Sequence, residues 1–391
     1  MKSKKVVIAL SGGVDSSVAA YLLKKQGYSL IGLFMKNWHD KNLTISDECP
    51  WLEDSNDAML IADKLKIPFK TVDLSKEYKK RIIDYMFKEY SNGRTPNPDI
   101  LCNKEIKFDV FMKLALSLDA DYVATGHYSQ IKSTNNSKYM LLQGIDKTKD
   151  QSYFLCQLNQ KQLSKILFPI GHLKKSDVRD IAKKNSLITA DKKDSQGLCF
   201  VGKIRLPEFL QQQLTRKKGD IVEIPSNSKV FSLKNKGNQS RLNELSKKYK
   251  FSKSDGKVIG EHNGAYYYTI GQRKGLAVGG YDEPLFVIGI DTKLNKIYVG
   301  KGKNHPGLIK KVIKIDIATI NWVNDSYSID LIKALKIQAR IRYRQPLQDI
   351  VLHIYGKKLY VEFKKYQTAI TSGQFLALYH KNELIASSVI P

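Results

Sequence analysis

The first thirty residues constrain the fold of this chain most. Lys5–Leu10 is a short apolar run, and Ser16–Gln26 carries Val18, Ala19, Leu22 and Leu23 at helical spacing before stopping at Gly27. Between them stands Ser11-Gly12-Gly13-Val14-Asp15-Ser16-Ser17. A sharp strand-to-helix turn uses glycine so that successive backbone N–H groups converge on one point. The helix start behind it adds a partial positive charge, and Ser16 or Ser17 can cap it. A phosphate site follows. The string is not a Walker A loop, since no Gly-Lys-Ser/Thr closes it, and it is not GxGxxG. The next strand runs into Phe34-Met35-Lys36, where a dinucleotide fold would place a ribose-binding acid.

The alternation continues to about residue 200. Leu30–Met35, Phe69–Asp73 and Tyr122–Thr125 read as strands, and Asp54–Lys66, Ser75–Tyr90 and Asn103–Leu118 as helices. Strands alternating with helices predict an α/β fold with a doubly wound parallel sheet, a Rossmann-like domain over residues 1–204. A small central domain is expected over 205–284. Residues 201–270 hold 14 Lys+Arg against 6 Asp+Glu, and 225–257 reads as an inserted basic loop with one short helix near Arg241–Tyr249. From 285 to 391 short alternating runs, such as Leu285–Ile290, Lys296–Val299, Ile350–Tyr355 and Phe375–Tyr379, predict a C-terminal β-barrel.

The net charge is +27, which makes a polyanion such as nucleic acid the first partner to consider. A 42% hydrophobic content excludes a wholly disordered chain. No apolar run approaches the ~18–20 residues that cross a bilayer, so no membrane partner is expected and the location predicted is cytoplasmic. The four cysteines, Cys49, Cys102, Cys156 and Cys199, form no CxxC pair and no zinc spacing, and no metal-ligand set is predicted. Cys156, in Tyr153-Phe154-Leu155-Cys156, reads as core. Cys102 and Cys199 stand in polar, Gly- and Pro-containing segments suited to reactive thiols.

The loop at 11–17 resembles that of the PP-loop ATPases, which cleave ATP between the α- and β-phosphates. Four further strings narrow the resemblance: Thr95-Pro96-Asn97-Pro98-Asp99 with Leu101-Cys102-Asn103-Lys104, Lys149-Asp150-Gln151-Ser152-Tyr153-Phe154-Leu155, Ser195-Gln196-Gly197-Leu198-Cys199-Phe200, and Tyr268-Thr269-Ile270-Gly271-Gln272-Arg273. Together they resemble the tRNA-specific 2-thiouridylases across nearly the whole chain. The resemblance implies ATP, with Mg²⁺, held by Ala9, Leu10, Ser11, Gly12, Gly13, Val14, Asp15 and Ser16. Met35 would border the adenine, and Gly126 would let the backbone approach the nucleotide. It further implies that Cys199 carries a persulfide, that Cys102 is the partner nucleophile, and that Asp99 is a general acid/base beside the uracil. Lys104 and Lys107 are candidates to favour the Cys102 thiolate. The chemistry requires such parts, because a uridine carbonyl oxygen must first become a good leaving group and sulfur must then reach the carbon. The implied partners are tRNAs for lysine, glutamate and glutamine, and a persulfide donor downstream of a cysteine desulfurase.

RNA contacts implied by the resemblance are Asn97, Pro98, Asp99, His127, Lys149, Asp150, Gln151, Arg342, Tyr343 and Gln374. A lone His127 is equally a satisfied buried ring. Ser372 stands where the family pattern leads one to expect proline before Gly373-Gln374. Independently, residues 335–344 read as a strand with Lys336, Gln338, Arg340, Arg342 and Arg344 on one face, a row of cations for phosphates. Alternation would put Tyr343 on the other face. Two other functions share some of these features: a PP-loop ligase or amidotransferase acting on a small metabolite, and an RNA-binding protein with a vestigial nucleotide site.

Overall fold

The computed structural model describes residues 3–37, 50–134, 137–194, 206–232 and 237–391. Strand β1 (Lys5–Ala9) is buried on both faces: Val7 and Ala9 join one apolar cluster, Val6 and Ile8 another. Such a strand has to be central and covered by helices on both sides. It pairs in parallel with β2 (Ser29–Lys36) and β4 (Tyr122–Ala124). Beyond β2 lies β3 (Phe69–Asp73), and beyond β4 the short strand Ile166–Leu167. The five-stranded order is therefore β3-β2-β1-β4 and then 166–167, the doubly wound arrangement expected from the alternation. The order reverses between β1 and β4, and ligands of such sheets bind in that crevice, at the strands' carboxyl ends.

Helix α1 (Val14–Lys25) starts at the end of the glycine turn, with Asp15 in its first turn and Lys24 and Lys25 in its last, the arrangement the helix dipole favours. Helix α2 (Pro50–Lys64) covers the same face of the sheet through Ala58, Ile61 and Ala62. The opposite face is closed by two helical segments. Residues Ser75–Ser91 run continuously through a widened π-turn at Lys79–Ile83. Residues Pro98–Ser117 contain a second wide stretch, Cys102–Val110, broken at Phe108 (φ −108°, ψ 18°). Wide turns of this kind recur at functional sites.

Two expectations about the later domains are corrected. Leu285–Asp291 and Lys296–Lys301, assigned above to the C-terminal barrel, pair instead with Gly219–Glu223 and Lys257–His262 in a four-stranded central sheet. Its core is Ile221, Leu285, Val287, Ile297 and Val299. The stretch 225–257 contains the expected short helix, but it is packed on the last domain and is not a freely exposed insertion. Its helix Asn238–Ser246 buries Leu242 against Val312 and Tyr360, and Arg241 forms a two-pronged pair with Glu362 at 3.1 Å.

The C-terminal strands form an antiparallel sheet around Ile313, Leu359, Val361, Leu376 and Ile385. The hairpin Ser129–Ser133/Tyr139–Gln143 leaves the N-terminal domain and extends that sheet, Leu141 and Leu142 pairing with Leu384 and Glu383. The first and last domains thus share one continuous sheet. Among the described residues no helix is long and apolar enough to cross a membrane.

Candidate active site

The glycine turn is shaped by its neighbours. Gly12 has φ +71°, and a Cβ there would lie 2.2 Å from the carbonyl oxygen of Asp54 in α2. Gly126, just after β4, presses on the same turn from the other side: its Cβ would lie 2.7 Å from Asp15 C and from Ser16 N. The two loops flanking the crevice therefore touch backbone to backbone, a contact that glycine permits. Within the turn, Ser11 N donates to Ser16 Oγ (3.1 Å), while Ser16 and Ser17 hydroxyls donate to Gly13 O (3.1 and 2.9 Å). The serines thus brace the turn internally. Ala9, Leu10 and Val14 are buried beneath it.

Asp15 faces a ladder of charges. Its carboxylate accepts from Tyr128 Oη (2.6 Å) and Lys175 Nζ (2.8 Å), and Lys175 also pairs with Asp194 at 2.8 Å. Asp194 in turn takes Lys149 at 2.7 Å and Arg179 at 3.1 Å. Desolvation works against the Asp194 carboxylate, but Lys149 and Lys175 outweigh it and hold its pKa down to about 2. Tyr128 is held above the ordinary phenol range by burial and then by Asp15.

Cys102 is fully buried at the start of the wide helical stretch and belongs to the cluster that also contains Met35 and Ala9. The end of β2 and the Cys102 side chain thus border one continuous apolar cluster, which also reaches Phe375 and Leu384 of the last domain. Lys104 pairs with Glu105 at 3.8 Å, while the charge of Lys107 acts on His127. Asp99 lies in the first turn of the short helix Pro98–Leu101, which Asn97 caps by accepting from Ile100 N (3.1 Å). The preceding Thr95-Pro96-Asn97 is clamped by both other domains. Gln374 Nε2 donates to Thr95 O and Pro96 O (3.0 and 3.1 Å), Asn97 Nδ2 donates to Gln374 Oε1 (3.1 Å), Thr95 N donates to Ser372 O (2.9 Å), and the hydroxyls of Thr95 and Thr269 share a bond at 3.1 Å. Pro98 is buried.

Several expected RNA contacts have internal partners instead. Asp150, whose side chain is 1% exposed, pairs with Arg340 at 3.0 Å and accepts from Gln143 Nε2, Gly144 N, Ser152 N and Ser152 Oγ. An RNA contact by this carboxylate is therefore corrected to a buried ion pair between domains. Gln151 Oε1 accepts from Tyr128 N (3.0 Å). His127 is enclosed between Phe108 and Phe168, shares a 2.7 Å bond with Thr125 Oγ1, and is kept neutral by burial first and Lys107 second. It is the buried histidine that its isolation in sequence allowed.

The cation row at 336–344 is corrected as well. The strand ends at Arg340 (Ile337–Arg340), the chain turns, and Arg344 has φ +62°. Arg340 is buried on Asp150, so the alternation stops before Arg342. Arg342 is exposed, and Tyr343 packs at a tilt of 39° against Phe154 with ring centroids 4.3 Å apart. Phe154 O accepts from Asn103 Nδ2 (3.1 Å), next to Cys102. Residues 150–154 are thus a strap, binding Tyr128 beside the crevice, Asn103 beside the thiol, and the C-terminal domain through Arg340 and Tyr343. Sequence reasoning missed Lys175 and Tyr128, and it read Arg340 as a cation for phosphate where the structure pairs it with Asp150. Cys199 lies outside the described residues. Cys156 is buried as expected, its thiol pushed up to about 12 by burial.

Three family models match this chain in order: the tRNA methyl transferase HUP domain over residues 4–203, the tRNA methyl transferase PRC-barrel domain over 242–301, and the aminomethyltransferase beta-barrel domain over 312–390. The tRNA-specific 2-thiouridylase MnmA of Christiangramia forsetii is 61% identical, the match spanning 99% of this chain and 100% of the relative. The chain belongs to the tRNA-specific 2-thiouridylase family. Another similar member, from Flavobacterium johnsoniae, is 59% identical over 99% of this chain and 100% of its own length, and one from Streptococcus pyogenes serotype M49 is 43% identical over 99% and 95%. The family's three domains correspond to the parallel-sheet domain, the central sheet and the C-terminal sheet described above.

Proposed function

We propose that this chain is a tRNA-uridine 2-sulfurtransferase that uses ATP to activate oxygen 2 of a wobble uridine. Oxygen 2 attacks the α-phosphorus and pyrophosphate leaves, giving an adenylate. The Cys102 thiolate then attacks the inner sulfur of a persulfide on Cys199, forming a Cys102–Cys199 disulfide. The outer sulfur departs with the electron pair of the broken S–S bond and attacks carbon 2, and AMP leaves. A thiol reductant returns both cysteines to thiols, and a donor protein reloads Cys199. The substrates are tRNAs for lysine, glutamate and glutamine, in the cytoplasm.

The residues around the crevice fit a triphosphate. Gly12 allows the tight turn, the start of α1 favours negative charge, and the braced serines keep the turn's backbone in place. Mg²⁺ arriving with the nucleotide would screen the phosphates. Asn97, Pro98 and Asp99 border the uracil, Asp99 handling its proton, and Lys149, Arg342 and Tyr343 meet the RNA. A base treated in this way has to leave its stack.

The observation that supports this reading most is that the 150–154 strap ties Asn103, next to Cys102, to Tyr128, which bonds Asp15 of the glycine turn. The test is a reconstituted reaction with tRNA, Mg-ATP and a persulfide donor, with mass analysis of the digested nucleosides. Formation of 2-thiouridine is expected, and its absence from a folded, tRNA-binding preparation refutes the proposal. Cys102→Ser and Cys199→Ser should each abolish the product; retention in both variants refutes the sulfur handoff.

A further inference from the structure

A basic surface adjoins the Thr95–Asp99 segment. It is assembled from all three domains: Arg94 from the first, Lys248 and Tyr249 from the 225–257 stretch, and Lys310, Lys311 and Tyr366 from the last. Lys310 stands opposite Gln367 on the neighbouring strand, and the register then slips, so that Val312 stands opposite Glu362. The extra residues turn outward: Lys364, Lys365 and Tyr366 are all exposed, Tyr366 at 60%. A bulge re-aims side chains in this way.

The cations here repel one another. Lys310 Nζ donates to Lys247 O (2.9 Å) and stands 5.5 Å from the centre of the Tyr249 ring. Burial first, and the charge of Lys248 second, lower its pKa to about 8. Lys248 is pushed down by partial desolvation and then by Arg94. Neither lysine forms an ion pair among the described residues; Arg94 pairs with Glu89, yet its Nε is buried without a partner. Lys311 lies 5.9 Å from the Tyr366 ring centre, and Tyr249 senses Tyr366 electrostatically. Lysines held together against their repulsion, beside an exposed aromatic ring, match the needs of a nucleic-acid strand, with cations for phosphates and a π-face for a base.

We propose that Lys248, Lys310, Lys311 and Tyr366 form a binding site for the RNA phosphodiester backbone, with Tyr366 stacking on a base, next to the segment that holds the target nucleotide. This assigns a role to the 225–257 stretch, and it rests on the tRNA reading above. An acidic protein surface would use the lysines but has no need of the exposed ring.

The test is fluorescence anisotropy of unmodified tRNA binding between 50 and 300 mM KCl. Each phosphate contact adds roughly 0.7–0.9 to the slope of log affinity against log salt. Lys248→Ala with Lys310→Met should therefore flatten the slope by about 1.4–1.8 and weaken binding about 15-fold near 0.15 M. Tyr366→Ala should weaken binding about fivefold or more, while Tyr366→Phe retains it. Lys25→Ala, at the exposed end of α1, is the control and should leave both quantities unchanged. Retained nucleotide binding and an unchanged melting temperature show that the variants are folded. Wild-type slope and affinity in the double variant overturn this site while leaving the thiolation reading in place. The same holds if only binding to an acidic protein changes. Absence of tRNA binding by the wild-type protein overturns both.

Discussion

The pair between Arg340 and Asp150 is the joint on which the strap at 150–154 depends, and its energetics can be worked out. The side chains are 6% and 1% exposed, and Nη1 lies 3.0 Å from Oδ2. Removing one partner of a buried pair costs about 3–5 kcal/mol, because the other charge stays desolvated. Asp150 keeps four hydrogen bonds when Arg340 is lost, so Arg340→Met falls toward the lower end, about 3 kcal/mol. Part of this is packing, since the guanidinium also lies 5.0 Å from the Tyr379 ring centre. Asp150→Asn alone strands the guanidinium. Asp150→Asn with Arg340→Met removes both charges and should recover about half of the summed single losses. Global unfolding of three domains mixes transitions, so the assay is hydrogen exchange of the 150–155 amides, which reads local opening. Less than about 1 kcal/mol lost in Arg340→Met, or strict additivity of the two changes, would refute the account of the strap as an ion-paired joint.

The remaining predictions follow from the same geometry. Gly126→Ala forces a methyl group to within 2.7 Å of the backbone of Asp15 and Ser16, so the nucleotide turn has to shift; ATP affinity measured by titration calorimetry should fall about tenfold or more, and wild-type affinity would contradict the contact. Gln374→Ala releases Asn97 and two carbonyls from one side chain, a loss of about 1–2 kcal/mol that should raise the KM for tRNA more than that for ATP; equal changes in the two constants count against a clamp on the 95–97 segment. Asp194 has a folded pKa below its ordinary value, so its stabilisation is present above about pH 4 and is lost as the pH falls through about 2. With the side chain 36% exposed, screening reduces the contribution to roughly 1 kcal/mol, and Asp194→Asn should cost that much at pH 7 and almost nothing at pH 2.

The N-terminal domain was legible because its inner strands β1 and β2 are covered on both faces, which writes them as continuous apolar runs separated by amphipathic helices. The later domains were less so, because their pairings are distant in sequence. Leu285–Asp291 looks like the first strand of a long β region, but its hairpin partner Lys296–Lys301 pairs back to Gly219–Glu223, across more than seventy residues. The hairpin at 129–143 carries no mark that it will extend a sheet formed by the end of the chain. Alternation assigns faces within a strand, yet it does not say what covers a face. Arg340 falls where a solvated cation was expected, and the strap covers it.

The same reasoning separates what was readable in the site from what was not. Glycines at a strand-to-helix turn read directly as backbone geometry, and Gly12 and Gly126 are positions where a side chain has no room. Polar residues in a recognisable string read as chemistry, but burial decides whether they meet a ligand or one another. Asp150 and Gln151 face inward; Lys149 stands on the ladder that runs through Asp194 and Lys175 to Asp15 of the nucleotide turn. A cation bound to a carboxylate 36% exposed remains within reach of a phosphate, whereas a carboxylate sealed with Arg340 does not. The Lys149-Asp150-Gln151 string therefore divides by burial into one residue left within reach of a phosphate and two that tie the strap to Arg340 and Tyr128.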